Sequence, residues 1–203
     1  MYVKISTFLL FGLLFTGCTS SQKMYEQNFK TAQINSVKIS DLNSTVVDFT
    51  ETYSFNLGSD TCKRCVDIDG YKAFALKLQP KDNTNAYSVK IKTKVNDGVF
   101  APKVLLLNQH SNIIKSYLAE DFTFDRGMFK KTVFINKPKD VASILITHDQ
   151  SEIDNDRNIT RVEANMIATG YFYYQTASGD KKIKLKNTLG GNIEVKLTKQ
   201  NKS

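Results

Sequence analysis

Apolar and polar residues alternate along most of this chain from residue 45 onward. Val47, Phe49, Tyr53, Phe55 and Leu57 occupy every second position, interrupted only by Glu51, with Asp48, Thr50, Thr52, Ser54 and Asn56 between them. Tyr87, Val89, Ile91, Thr93 and Val95 repeat the pattern against Ser88, Lys90, Lys92 and Lys94. A period of two puts successive side chains on opposite faces, so each segment predicts a strand with one dry and one wet face. Phe74, Leu76 and Leu78 mark another strand. Val104 to Leu107 and Ile144 to Ile146 are short unbroken apolar runs, the pattern of strands covered on both faces. Phe129 to Ile135, Val162 to Ala168 and Tyr171 to Gln175 are further candidates. Ile183 and Leu185, then Ile193, Val195 and Leu197, flank Gly190-Gly191 and predict a hairpin there. This makes about ten short strands, separated by turn clusters such as residues 81–85, with no long helical period. The expected fold is all-β, an antiparallel β-sandwich spanning residues 37–203.

The first 36 residues break this pattern. Lys4 gives a short charged start, and the apolar stretch Ile5 to Phe15 is too short for the roughly 18–20 residues that cross a bilayer. Phe15-Thr16-Gly17-Cys18 resembles a bacterial lipobox, with Phe15 where Leu is usual. The expectation is a signal peptide over residues 1–17, cut before a Cys18 that is then acylated. The competing reading is an ordinary secretory leader with an incidental Cys. One acyl chain holds a protein to a membrane only marginally, whereas lipidation of the bacterial lipoprotein kind attaches three. Thr19 is not the Asp that retains enterobacterial lipoproteins at the inner membrane, so the expected address is the periplasmic face of the outer membrane. Residues 18–36 are rich in Ser, Gln, Asn and Lys and read as the lipidated N-terminus and a flexible tether, with a short helix around Met24 to Phe29 as the alternative.

Composition narrows the rest. The chain has 203 residues, 28 Lys and Arg against 20 Asp and Glu, three Cys and no Trp. That excludes a polytopic membrane protein, a coiled-coil rod, a disulfide-rich miniprotein and a disordered chain. Cys62-Lys63-Arg64-Cys65 reads as a local disulfide stapling its loop, because no helix follows to lower a thiol pKa and no second pair completes a zinc site. Asp67-x-Asp69-Gly70 reads as a turn before a strand. Asp149, Asp154 and Asp156 lie in the longest polar stretch, which is either a solvated loop or a calcium ligand set. Tyr171 and Tyr173 would share one strand face, either as packing residues or as a weak sugar platform. His110 and His148 are the only histidines, and no nucleophile elbow, zinc-protease motif or phosphate-binding glycine loop is present. The chain is therefore expected to be no enzyme and to need no cofactor. Lys90, Lys92 and Lys94 line one strand face, and Lys182, Lys184 and Lys186 another, with Lys196 on the partner strand. Such rows are either solvated guards against aggregation or docking surfaces for anionic headgroups or an acidic protein. Nucleic acid is not an expected partner in that compartment.

Val99 to Asn108, Gly70 to Leu78 and Ile144 to Thr147 are similar to stretches of the MalM-like family of maltose-operon periplasmic proteins. The resemblance covers roughly residues 37–148 and concerns strands and turns, so no catalytic residue carries over. Asn108 and Thr147-His148 depart from the family's usual residues. The resemblance implies a periplasm-facing accessory to carbohydrate (maltose or maltodextrin) transport. The alternative is an envelope scaffold protein that docks an anionic partner through its lysine-rich strand faces without binding sugar.

Overall fold

The computed structural model describes residues 20–95, 98–125, 128–169 and 172–200, and within these not the side chains of residues 159–181. Among the described residues one α-helix, α1 (Ser21–Ala32), precedes fourteen strands. In chain order they are β1 (Val37–Lys38), β2 (Ser44–Val47), β3 (Thr52–Leu57), β4 (Cys65–Ile68), β5 (Tyr71–Pro80), β6 (Tyr87–Lys94) and β7 (Pro102–Leu107). There follow β8 (Ile113–Tyr117), β9 (Thr123–Asp125), β10 (Met128–Ile135), β11 (Ser143–His148), β12 (Asp156–Thr169), β13 (Phe172–Lys186) and β14 (Gly191–Lys199).

The expected all-β sandwich is present, built from two packed sheets. One runs β1-β4-β5-β11-β7-β8, with β2 also on β5, and the other runs β3-β14-β6-β10-β9. All pairs are antiparallel except the short β1–β4 and β2–β5 contacts. The two apolar runs sit where two-sided burial requires. Val104, Leu106, Ile144 and Ile146 face the main core, together with Val89, Ile91, Val133, Val195 and Leu197 of the other sheet. Leu105, Leu107 and Leu145 point the other way into a second cluster, closed by Leu42 with Val37 and Ile39. The 37–42 segment is thus a strap across the outside of the larger sheet.

Four expectations are corrected. The alternation over 47–57 is two strands in different sheets, because Asp48 Oδ1 accepts from the backbone N–H of Phe49 at 2.6 Å and turns the chain. Gly190-Gly191 is not a hairpin turn, since β13 and β14 lie in separate sheets. These glycines instead permit close packing: a Cβ on Gly190 would stand 2.2 Å from the Leu57 carbonyl oxygen, and one on Gly191 2.5 Å from Phe100 Cβ. The segments 162–168 and 183–185, and residues 172–175 of the expected 171–175 strand, merge into one long ribbon of β12 against β13. Finally, residues 21–32 of the expected tether are helical and packed. Ser20 caps α1 by accepting from the Lys23 N–H. Tyr25, Phe29 and Ala32, spaced for one helix face, meet the main core.

Tyr25 is buried and donates to Asn56 Oδ1 at 2.8 Å, while Asn28 donates to the Gly58 carbonyl at 2.8 Å. Phe29 meets Phe74 edge-on with centroids 5.3 Å apart. α1 therefore closes one end of the sandwich. Replacing Gly190 by Ala forces a new methyl against both Leu57 and Tyr25. We expect Gly190→Ala to cost about 2–4 kcal/mol in urea unfolding, by overpacking that no rotamer change relieves.

Candidate functional site

The outer face of the five-stranded sheet carries the strongest concentration of like charge on the body. Alternation in β6 sends Val89 and Ile91 inward and Lys90, Lys92 and Lys94 outward. Register then sets two of them, Lys90 and Lys92, against a neighbour of the same sign. Lys90 lies opposite Lys196 of β14 on one side and Thr132 of β10 on the other. Lys92 lies between Glu194 and Lys130. Like charges directly opposite one another destabilise a sheet, so these pairings are held against a cost.

Two carboxylates offset part of this charge. Glu194 accepts from Lys92 at 3.3 Å and reaches Lys94 at 3.5 Å, and chiefly the Lys92 contact holds its carboxyl below the usual range. Asp125 pairs with Lys130 at 3.1 Å. Lys90 and Lys196 have no carboxylate partner among the described residues. Around them the face is hydroxyl- and amide-rich, with Thr52, Ser54, Asn56, Thr132 and Thr198, and Phe134 stands 61% exposed beside them. A shallow cleft of about 430 Å³ between Lys90, Asp121, Thr123, Lys130, Lys131 and Thr132 marks the edge of the patch. Chemically this surface offers ammonium groups and hydroxyl donors to an extended anionic partner.

The other predicted residues fall elsewhere. Cys18 and Tyr171 lie outside the described residues, as does the side chain of Tyr173; its backbone pairs with Ala168 in the ribbon. Cys62 and Cys65 are free thiols, which corrects the expected disulfide. The reason is packing: β4 begins at Cys65, whose thiol enters the main core, and Cys62 packs against that core from the preceding turn. Burial pushes the Cys65 thiol up to about 12 and raises that of Cys62, so neither is a nucleophile at neutral pH. Asp69-Gly70 is the turn of the β4–β5 hairpin, with both residues at positive φ and Gly70 N–H donating to Asp67.

The acidic stretch does not converge. Asp149 is buried, accepting from the Ala119 N–H at 2.9 Å through one oxygen and from the Ser151 hydroxyl at 2.7 Å through the other. Asp156 pairs with Lys184 at 2.7 Å, and Asp154 lies exposed beside a cleft lined by Gln22 and Glu26. Among the described residues no group of three His, Cys, Asp or Glu side chains could hold a metal ion.

His148, expected at a strand end, is the buried last residue of β11, between Phe29 of α1 and Tyr71. Its placement could not be read from alternation, because the residue that buries it comes from the helix. Burial pulls its imidazole below the ordinary 6.5, against the raising effects of Gln150, the Leu189 backbone and Asp149.

A scan against protein-family models found no match to this chain, and a search of curated proteins found none either.

The fold holds His148 neutral, so the unfolded chain takes up its proton first as pH drops below 6.5. That part of the stability is complete above 6.5 and is lost as pH falls toward the lower folded-state value. We expect urea-unfolding stability to decline over this window with a slope of up to about 1.4 kcal/mol per pH unit, and His148→Gln to flatten it.

Proposed function

We propose that this protein is a non-enzymatic, lipid-anchored component of the bacterial envelope that docks an acidic partner protein through the lysine face of its five-stranded sheet. The observation that carries this reading is the juxtaposition of Lys90 with Lys196 and of Lys92 with Lys130 across neighbouring strands. Lysines placed only to keep the surface soluble gain nothing from facing one another, whereas an anionic partner converts the repulsion into complementarity. The anchor is Cys18, acylated after removal of residues 1–17, which holds the chain at the periplasmic face of the outer membrane.

A second reading makes the protein an accessory to carbohydrate transport that binds maltodextrin itself. It is favoured by the way the fold gathers the three segments of the MalM-like resemblance. They supply β5, β11 and β7, which lie side by side at the heart of the larger sheet. The two readings agree if the acidic partner belongs to the uptake machinery.

A stability measurement and a binding measurement together separate docking from mere solubility. We expect Lys196→Glu to raise stability by about 0.2–1 kcal/mol by relieving Lys90. The same change, combined with Lys90→Glu, weakens retention on immobilised polyglutamate, and high salt weakens retention of the unsubstituted chain. Retention equal in the substituted and unsubstituted proteins would count against the docking face. For the second reading, maltodextrin raises the thermal midpoint of the mature chain; an unmoved midpoint at saturating sugar removes direct sugar binding.

A further inference from the structure

The ribbon of β12 and β13 pairs from Asp156 opposite Lys186 to Thr169 opposite Phe172 and forms a two-stranded sheet of its own. At about 3.3 Å per residue it is on the order of 45 Å long. A lone pair of strands is marginally stable in water, and beyond its root neither edge of this one pairs with another described strand. Such an arm calls for a surface to lie on.

Its sequence changes character halfway. The stem carries Arg157, Arg161, Lys181, Lys182, Lys184 and Lys186 against Asp156, Glu163 and Asp180. Between Glu163 and Asp180 no residue is charged. In that outer half the register sets Ile167 opposite Tyr174, Ala168 opposite Tyr173 and Thr169 opposite Phe172.

The root of the ribbon is fixed. The Arg157 guanidinium lies over the rings of Phe124 and Phe129 at 5.5 and 5.2 Å, and Leu185 packs against the main core. The Lys186 backbone carbonyl accepts from the Val99 N–H at 3.0 Å. Asp156 and Lys186 line the same cleft as Gln22 and Glu26 of α1. The ribbon therefore leaves the body at the end that α1 closes. Cys18 lies three residues before the first residue of α1, which at 3.3–3.6 Å per residue is a reach of about 10 Å.

We propose that the ribbon is a membrane-interface arm, laying its uncharged outer half in the headgroup layer of the bilayer that holds Cys18 while its basic stem meets anionic lipid phosphates. The proposal rests on the acylation of Cys18. Tyrosine and phenylalanine favour the headgroup level of a bilayer, and lysines beside a membrane are drawn to anionic lipid. The open edges set the depth. Hydrocarbon offers no partners to unpaired backbone groups, so the arm stays in the hydrated layer and does not cross.

The chain has no Trp, so Phe172→Trp introduces a single indole near the end of the arm. The acylated full-length product is reconstituted in phosphatidylglycerol-containing vesicles, and the same chain without its acyl group is titrated with them separately. Expected are a blue-shifted indole emission, protection from acrylamide, and quenching by lipids labelled near the glycerol rather than at the bilayer centre. For the unacylated chain, vesicle affinity falls about fivefold for each lysine replaced in Lys182→Gln and Lys184→Gln. Emission unchanged by vesicles would overturn the proposal. So would quenching strongest at the bilayer centre, or a shift that follows protein concentration without lipid and so marks a second copy on the arm. Mass spectrometry of the native N-terminus tests the anchor independently: a bare Cys18 removes the anchoring while the vesicle titration still reports on the arm.

Discussion

A sandwich of two sheets has open ends, and apolar side chains there must be kept from water. In this chain α1 does that work. Tyr25 and Phe29 close the end formed by the termini of β3, β5, β11 and β14, and the Tyr25 hydroxyl finds its partner on Asn56. Once this end is sealed, the positions of the ribbon root, the buried His148 and the start of α1 are fixed relative to one another. Burying two aromatic rings contributes several kcal/mol, far more than the helix could gain from its own hydrogen bonds in twelve residues.

What could be read from the sequence follows from how each element is buried. β6 was legible because one face is dry and the other wet, and β7 and β11 because both faces are covered. The edge strand β8 was not, since Ile113 and Ile114 are exposed and break the alternation. α1 was legible only as a short alternative around Met24 to Phe29, because its polar composition hid its length; Ser20 before Tyr25, Phe29 and Ala32 was the signal for the rest. The split between β2 and β3 depends on a single Asp48 turn inside an unbroken alternation. Gly190 and Gly191 misled because local chemistry permits a hairpin, while tertiary crowding at Leu57 and Phe100 is what requires glycine. The thiols of Cys62 and Cys65 were placed by spacing alone, and spacing carries no information about which core takes them up.

The candidate docking surface was legible only in part. Alternation placed Lys90, Lys92 and Lys94 on one face, but no sequence rule set Lys130 against Lys92, because that depends on the sheet order. The larger sheet has no equivalent surface at its centre, since the 37–42 strap covers Leu105, Leu107 and Leu145 from outside. The two sheets are thus unequal: one is buried on both sides, the other offers a charged face.

The packing of α1 also constrains the order in which the molecule can assemble. Tyr25 rests on Leu57 and on the Gly190 backbone, and the strap lies on strands as late as β11. The helix and the strap, though early in the chain, therefore have nowhere to settle until almost the whole chain has been made. Its seating is a late, long-range event, of the slow kind that high contact order produces. Until then the apolar faces of α1 and of the strap remain uncovered, and only the completed chain takes them into its two cores.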